Sequence, residues 1–277
     1  MHLGIISGAS EAEFAKVRQY GLHYAEFCVN VGCDVREYTD HLEEIQGYQQ
    51  AYDVQVASIG RWGTKRLADD GSFDQPEYEA DLALIDFAAA LGCPVFVCGC
   101  NEVKGMSFIQ NALRAADYFR SLTDHAAGKG VKIAVYNCDW GNAIYNKAGW
   151  DAVLPLVPGL GIKYDTSHCI NRDGDYLQEM LEYGKYIYHF HIKGTVRIHG
   201  RNISDPPAGF DDIAWGAVMA ILYDNDYQGV CSIEPHSSAW TKGTRGDFGV
   251  RFTKAYFEKY ILEEDGDDGD KQYMPGD

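Results

Sequence analysis

Eight short runs rich in β-branched and aromatic residues recur from one end of this chain to the other. They are HLGIIS (2–7), YAEFCVN (24–30), VQVASIG (54–60), PVFVCGC (94–100), VKIAVYN (131–137), LGIKYD (160–165), YIYHFHI (186–192) and GVCSIE (229–234). Between them, segments such as EAEFAKVRQYG, EYEADLALIDFAAALG and FIQNALRAADYFRSLTDHAAGKG carry apolar residues at helical spacing and end near Gly, as helices do. Strands that alternate with helices pair in parallel, and eight such units fill residues 1–262 without a Pro- or Gly-rich linker. That pattern predicts one (β/α)8 TIM barrel, an α/β fold. A doubly wound sheet would want a G-x-G-x-x-G turn after the first strand, and Ile6-Ser7-Gly8-Ala9-Ser10 does not supply it.

Composition agrees with a globular enzyme-sized domain: 277 residues, 46% hydrophobic and 23% charged. The net charge of -17 repels polyphosphates, so nucleic acid is not an expected partner. Seven acidic residues against the single Lys271 crowd into residues 263–277, which read as a solvated acidic tail outside the barrel. No stretch approaches the roughly 18 apolar residues of a membrane span, and MHLGIISGAS lacks a basic region followed by a long apolar one. The expectation is a cytoplasmic protein with no membrane partner. The eight cysteines show no C-x-x-C spacing and sit mostly in apolar runs, as reduced buried thiols do. Cys98-Gly99-Cys100 reads as barrel wall, and Trp62, Trp140 and Trp240 as core or pocket wall.

Barrel enzymes place their chemistry at strand C-termini, and unusual polar residues gather there. Strand two carries Glu26, strand three runs into Arg61 and Trp62, and strand five ends Tyr136-Asn137-Cys138-Asp139-Trp140. Strand six ends Asp165-Thr166-Ser167-His168, and strands seven and eight supply His189, His191, Lys193, Arg197, Glu234 and His236. Side chains two apart share a face of a strand. Ile162 and Tyr164 suit the helix-facing side, as do Tyr188, Phe190, Ile192, Cys231 and Ile233, which turns Asp165, His189, His191 and Glu234 inward. A lone inward His or Glu is usually a satisfied core residue. Three such residues at matching height on strands six, seven and eight point instead to a divalent Mn, Co, Zn or Fe ion. In strand five the same phase turns Ala134 and Tyr136 inward.

These residues resemble the xylose-isomerase-like barrels, the sugar phosphate isomerase/epimerase group that also includes endonuclease IV. Tyr164-Asp165-Thr166-Ser167-His168 is similar to the family's Asp-x-x-His, and His189-Phe190-His191-Ile192-Lys193 to its His-x-His strand. Gly229-Val230-Cys231-Ser232-Ile233-Glu234-Pro235 looks like the closing strand. The stretch Asp205-Pro206-Pro207-Ala208-Gly209-Phe210-Asp211-Asp212-Ile213-Ala214-Trp215 resembles the Pro-Gly-x-Gly-x-x-x-Trp approach to the last helix, with Ala208 at the Pro and Asp211 at the second Gly. The resemblance implies Asp165, His191 and Glu234 as ligands of one divalent ion (Mn, Co, Mg or Zn), with Glu234 also the base. It implies that His168 touches substrate and that Arg197 reaches a substrate oxygen, as in ketose 3-epimerases. The family usually ends strand five with Glu-Asn, and here the pair is Tyr136-Asn137. Asn137, Asp139 or His168 is left to complete the ion's shell, and Tyr136 to act as a hydrogen-bond or proton donor.

The implied function is a metal-dependent isomerase or epimerase that removes a proton beside the carbonyl of a keto-sugar or related polyol. Glu26, Arg61, Trp62, Lys193, Arg197 and His236 are the candidate substrate contacts. A lyase acting by β-elimination on a keto-sugar, inosose or 3-keto-glycoside is the alternative, with Tyr136, His168 or Lys193 as acid. A sugar-binding barrel without turnover is a third reading. A homo-oligomer or a partner subunit is compatible with each.

Overall fold

A computed structural model describes residues 1–262; the acidic stretch 263–277 lies outside the described residues. Eight parallel strands close into a barrel: β1 (His2–Ser7), β2 (Tyr24–Cys28), β3 (Gln55–Arg61), β4 (Val95–Cys98), β5 (Lys132–Tyr136), β6 (Gly161–Asp165), β7 (Ile187–Ile192) and β8 (Val230–Ile233). Each strand pairs with its neighbours in sequence, and β1 pairs with β8 through His2↔Val230, Leu3↔Cys231, Gly4↔Ser232 and Ile5↔Ile233. No helix among the described residues is long and apolar enough to cross a membrane.

The helices begin and end where their chemistry says. Gln75–Leu91 starts on Asp74, whose carboxylate accepts from the Glu77 amide, and stops at Gly92 in the left-handed region (φ 71°). Phe108–Ala126 opens with a reciprocal Ser107–Gln110 capping box. Their apolar stripes meet the outward strand residues in one continuous core, which includes Phe27, Ile59, Phe96, Ile133, Ile162, Phe190 and Ile233 from the strands and Phe14, Leu84, Phe119, Trp150, Trp215 and Phe257 from the helices. Burying a Leu, Ile or Phe of this kind contributes roughly 1.5–3 kcal/mol. Ala208 is buried in the same core, and all eight cysteines are free, with five fully buried.

Inside the barrel a second, small cluster of Trp62, Val95, Val97, Ala134 and Tyr136 fills the space between β3, β4 and β5. The opposite half of the interior is polar. Two register shifts set its geometry. Between β2 and β3 the pairing passes from Ala25↔Val56 to Glu26↔Ser58, and between β6 and β7 from Ile162↔Ile187 to Lys163↔His189. The second shift overturns one expectation. Strict alternation would put Tyr188 on the helix side, but the bulge leaves Tyr188 against the inner cluster and over Gly161, with the Lys132 ammonium 4.9 Å from its ring. His189 and His191 still point inward, because the phase resumes after the bulge.

Candidate active site

His191 is the hinge of the polar half. Its Nδ1 lies 2.6 Å from Glu234 Oε2, and its Nε2 lies 2.8 and 2.9 Å from the two oxygens of Glu26. A neutral imidazole has one N–H, so a ring with a carboxylate at each nitrogen needs a second positive element: an extra proton, or a metal ion on one side. Burial opposes charging of His191, but Glu26 and Glu234 outweigh it and hold its pKa above the ordinary value. Glu26 is fully buried and also meets His189 Nε2 at 2.6 Å, while the Ser58 and Ser232 hydroxyls lie 3.1 and 3.2 Å from that nitrogen. Burial alone would raise the Glu26 carboxyl; the two imidazoles hold it well below the usual range.

Above this layer sits Asp165. Its Oδ1 accepts from the Ser167 amide at 2.8 Å, whereas the fully buried Oδ2 has no aligned hydrogen-bond donor. Lys193 Nζ stands 3.0 Å from Oδ2 as an ion pair, 3.4 Å from Glu234 Oε1 and 3.3 Å from His168 Nε2. Burial, with the nearby ammonium groups, pushes the His168 imidazole down to about 3 despite Asp165, so it is a neutral ring. Burial works against the charged forms of Asp165 and Glu234 as well, but Lys193 keeps both carboxyls below their ordinary values.

Two groups of donors lie close enough to hold an ion: Asp165, His191 and Glu234, and Glu26, His189 and His191, each with its ligand atoms within 4.8 Å of one another. The second group is already satisfied by its own hydrogen bonds. The first fits a divalent cation better, because it combines two anionic oxygens with an imidazole nitrogen, and its buried Asp165 Oδ2 is met by the Lys193 ion pair without an aligned hydrogen bond.

Several sequence-derived roles change. Asn137 is buried and pairs with the Asp165 backbone in both directions, donating from Nδ2 to the carbonyl at 2.8 Å and accepting from the amide at 3.0 Å. Its oxygen is therefore engaged with the end of β6. Tyr136 does point inward, but its hydroxyl donates to the Trp140 carbonyl at 2.7 Å and accepts from the Gly63 amide at 3.4 Å, and its ring stacks on Trp62. Burial raises the phenol further above its usual pKa, and through these bonds it joins the loops after β3 and β5. Glu26 is no open substrate contact, since both its oxygens are taken by histidines.

Arg61 is also committed. It forms a two-pronged ion pair with Glu77 at 2.8 and 2.9 Å and donates to the carbonyls of Asn30 and Cys33. Trp62 packs over Gly60, where an added Cβ would fall 1.7 Å from its ring. Trp140 is half-exposed over Gly63. Arg197 pairs with Asp173 at 2.6 Å and donates to the Ile170 and Gly200 carbonyls; it lines a cavity of about 560 Å³ with Tyr176, Thr195 and Asp212. Half-exposed His236 pairs with Asp205 at 2.9 Å and stays 4.0 Å from Glu234. Lys193 and His168 join the central cluster. Sequence reading missed Lys163, which is inward, 2% exposed and two residues before Asp165. Its phase in LGIKYD was the available signal.

The profile of the xylose isomerase-like TIM barrel matches residues 14–255. The chain belongs to that family. Among solved structures with the family's barrel, it is similar to the IOLI protein with a bound zinc atom (16% identity, 95% of this chain and 100% of that one, TM-score 0.74). It is similar also to D-allulose 3-epimerase from Methylomonas sp. in complex with D-allulose (18%, 94% and 97%, 0.73) and to apo 3-keto-D-glucoside 4-epimerase YcjR from E. coli (14%, 94% and 99%, 0.72). At these identities the likeness is one of fold. No curated protein matches the sequence significantly. Measured against the xylose isomerase-like pattern, the strand-five departure is thus a packed Tyr136 in place of a carboxylate.

Proposed function

We propose that this protein is a metal-dependent sugar isomerase or epimerase that removes a proton beside the carbonyl of a keto-sugar or related polyol. The observation that carries the reading is the convergence of Asp165, His191 and Glu234 at the barrel's C-terminal mouth, their ligand atoms within 4.8 Å of one another. A divalent ion held there would polarise a carbonyl and a neighbouring hydroxyl, which makes the intervening C–H acidic. Glu234 is the base. It is the carboxylate with some exposure in the cluster, at 16%, whereas Asp165 and Glu26 are fully buried. Lys193 lies across both Asp165 and Glu234, so the ammonium balances charge while the proton is transferred.

A single base can carry a proton between adjacent carbons on one face, whereas inversion at one carbon needs a second base opposite. Strand five offers no carboxylate and Glu26 is consumed by histidines, which leaves neutral His168, beside Lys193 and Asp165, as the candidate second group. The zinc in one structural relative and the sugar in another support an ion and a sugar as the chemistry such a barrel accommodates. The same shortage of a second carboxylate favours a second reading, β-elimination from a keto-sugar, inosose or 3-keto-glycoside with Lys193 as acid. Product analysis by NMR after incubation with Mn, Co, Mg or Zn tests both. Stereoisomers or positional isomers support the first; an enone and a released leaving group support the second; an inert protein with no bound ion under all conditions contradicts both.

A further inference from the structure

Four Lys and Arg side chains are buried among the described residues: Arg61, Arg66, Lys163 and Lys193. Three have carboxylate partners: Arg61 with Glu77, Arg66 with Asp81 at 2.7 Å, and Lys193 with Asp165 and Glu234. The Lys163 side chain makes no hydrogen bond or ion pair with any described residue, although its carbonyl accepts from the Asn137 amide at 3.2 Å. It projects inward from β6, opposite Tyr136 on one side and His189 on the other, directly below Asp165 on the same face. A lysine turned into a barrel without a side-chain partner is a poorer core residue than a methionine of similar shape. A fold that keeps such a group inside its candidate active site, with Asp165 and Glu234 turned to Lys193, holds it for a partner that arrives later.

We propose that Lys163 is a catalytic residue of the reaction above, whose ammonium donates a hydrogen bond to the substrate oxygen that gains negative charge in the enediolate. This rests on Glu234 being the base. The C–H proton goes to the Glu234 carboxylate, the C–H electron pair becomes the new C=C bond, and the carbonyl π pair moves onto oxygen, where the Lys163 charge meets it. Reprotonation at carbon returns the pairs and regenerates the carboxylate. No oxidant or added reactant is needed. The ammonium is fixed before the charge develops, so little reorganisation is required at the moment of transfer.

The test uses the metal-loaded full chain and Lys163→Met. Calorimetry measures binding of a neutral hexitol and of a four-carbon sugar hydroxamate, which mimics the enediolate. The variant should keep its ion, bind the hexitol within about threefold of wild type, lose roughly tenfold or more in hydroxamate affinity, and melt higher because an unpaired buried charge is gone. For a turned-over sugar, kcat should fall about 10²–10³-fold with little change in KM. Unchanged hydroxamate affinity, equal loss for both probes, or a lower melting temperature would overturn the assignment. So would a borohydride-stabilised sugar adduct on Lys163, which would make its role covalent. If wild type turns over no sugar, the isomerase reading fails, and the two binding probes still decide what Lys163 does.

Discussion

His191 shows how much of this site depends on one ring held between two carboxylates. Glu26 accepts at Nε2 and so fixes which nitrogen faces Glu234, the arrangement by which a carboxylate behind a histidine orients it toward a metal. Glu26→Gln should therefore weaken divalent-ion binding about 10–100-fold while leaving Asp165, His191 and Glu234 in place; calorimetric titration measures it, and unchanged affinity would show Glu26 to be a core residue only. Tyr136→Phe separates the two roles considered for that ring. Losing the bond to the Trp140 carbonyl should cost about 1 kcal/mol in a denaturant titration, with ion content and turnover unchanged, whereas a large fall in kcat would restore it as a catalytic acid. Asp165, His191 and Glu234 were legible because each lies in phase with apolar neighbours on a clear strand. Lys163 shared that phase and was passed over, since lysines mostly face solvent. The double engagement of Asn137 with Asp165 depends on two strands meeting, which no local pattern displays.

Among the elements, the loops after β2 and β3 depend on one side chain. Arg61 leaves the end of β3, reaches the carbonyls of Asn30 and Cys33, and is gripped by Glu77 from the helix Gln75–Leu91. Arg61→Ala would leave Glu77, 12% exposed, with only the longer 3.8 Å pairing to Arg66 and should cost about 3 kcal/mol in stability, read as a drop in melting temperature. Ion affinity in the folded variant should stay near wild type, because Arg61 touches none of the proposed ligands; a selective loss of sugar binding would return it to the substrate contacts. Strands and helices were readable from their periods, and the helix starts from Asp74 and Ser107. The bulge that turns Tyr188 inward was not, because a single extra residue in a ladder leaves the composition of the run unchanged. The Arg61 tie was hidden for a related reason: its acidic partner sits sixteen residues away on another element.

Taken whole, the molecule is a barrel whose closure through β1 and β8 and whose last helix, Gly243–Glu258 with Phe257 in the core, are complete before residue 263. Truncation after Leu262 should accordingly leave the melting temperature within about a degree of wild type; unfolding of the truncated chain would show the acidic stretch to be part of the fold. Ligand linkage acts at the same scale. An ion present at about one hundred times its dissociation constant should add roughly 2.7 kcal/mol, a rise of several degrees by calorimetry, and Asp165→Ala should abolish that increment. The measurement closest to the central claim is solvent-deuterium entry, followed by NMR, into ketoses, inososes and 3-keto-glycosides incubated with the metal-supplemented protein in D2O. Exchange is expected at a carbon beside the carbonyl of at least one of them, dependent on the divalent ion and lost in Glu234→Gln. Absence of exchange across the panel with every ion supplied, or exchange that persists in Glu234→Gln, would contradict that claim.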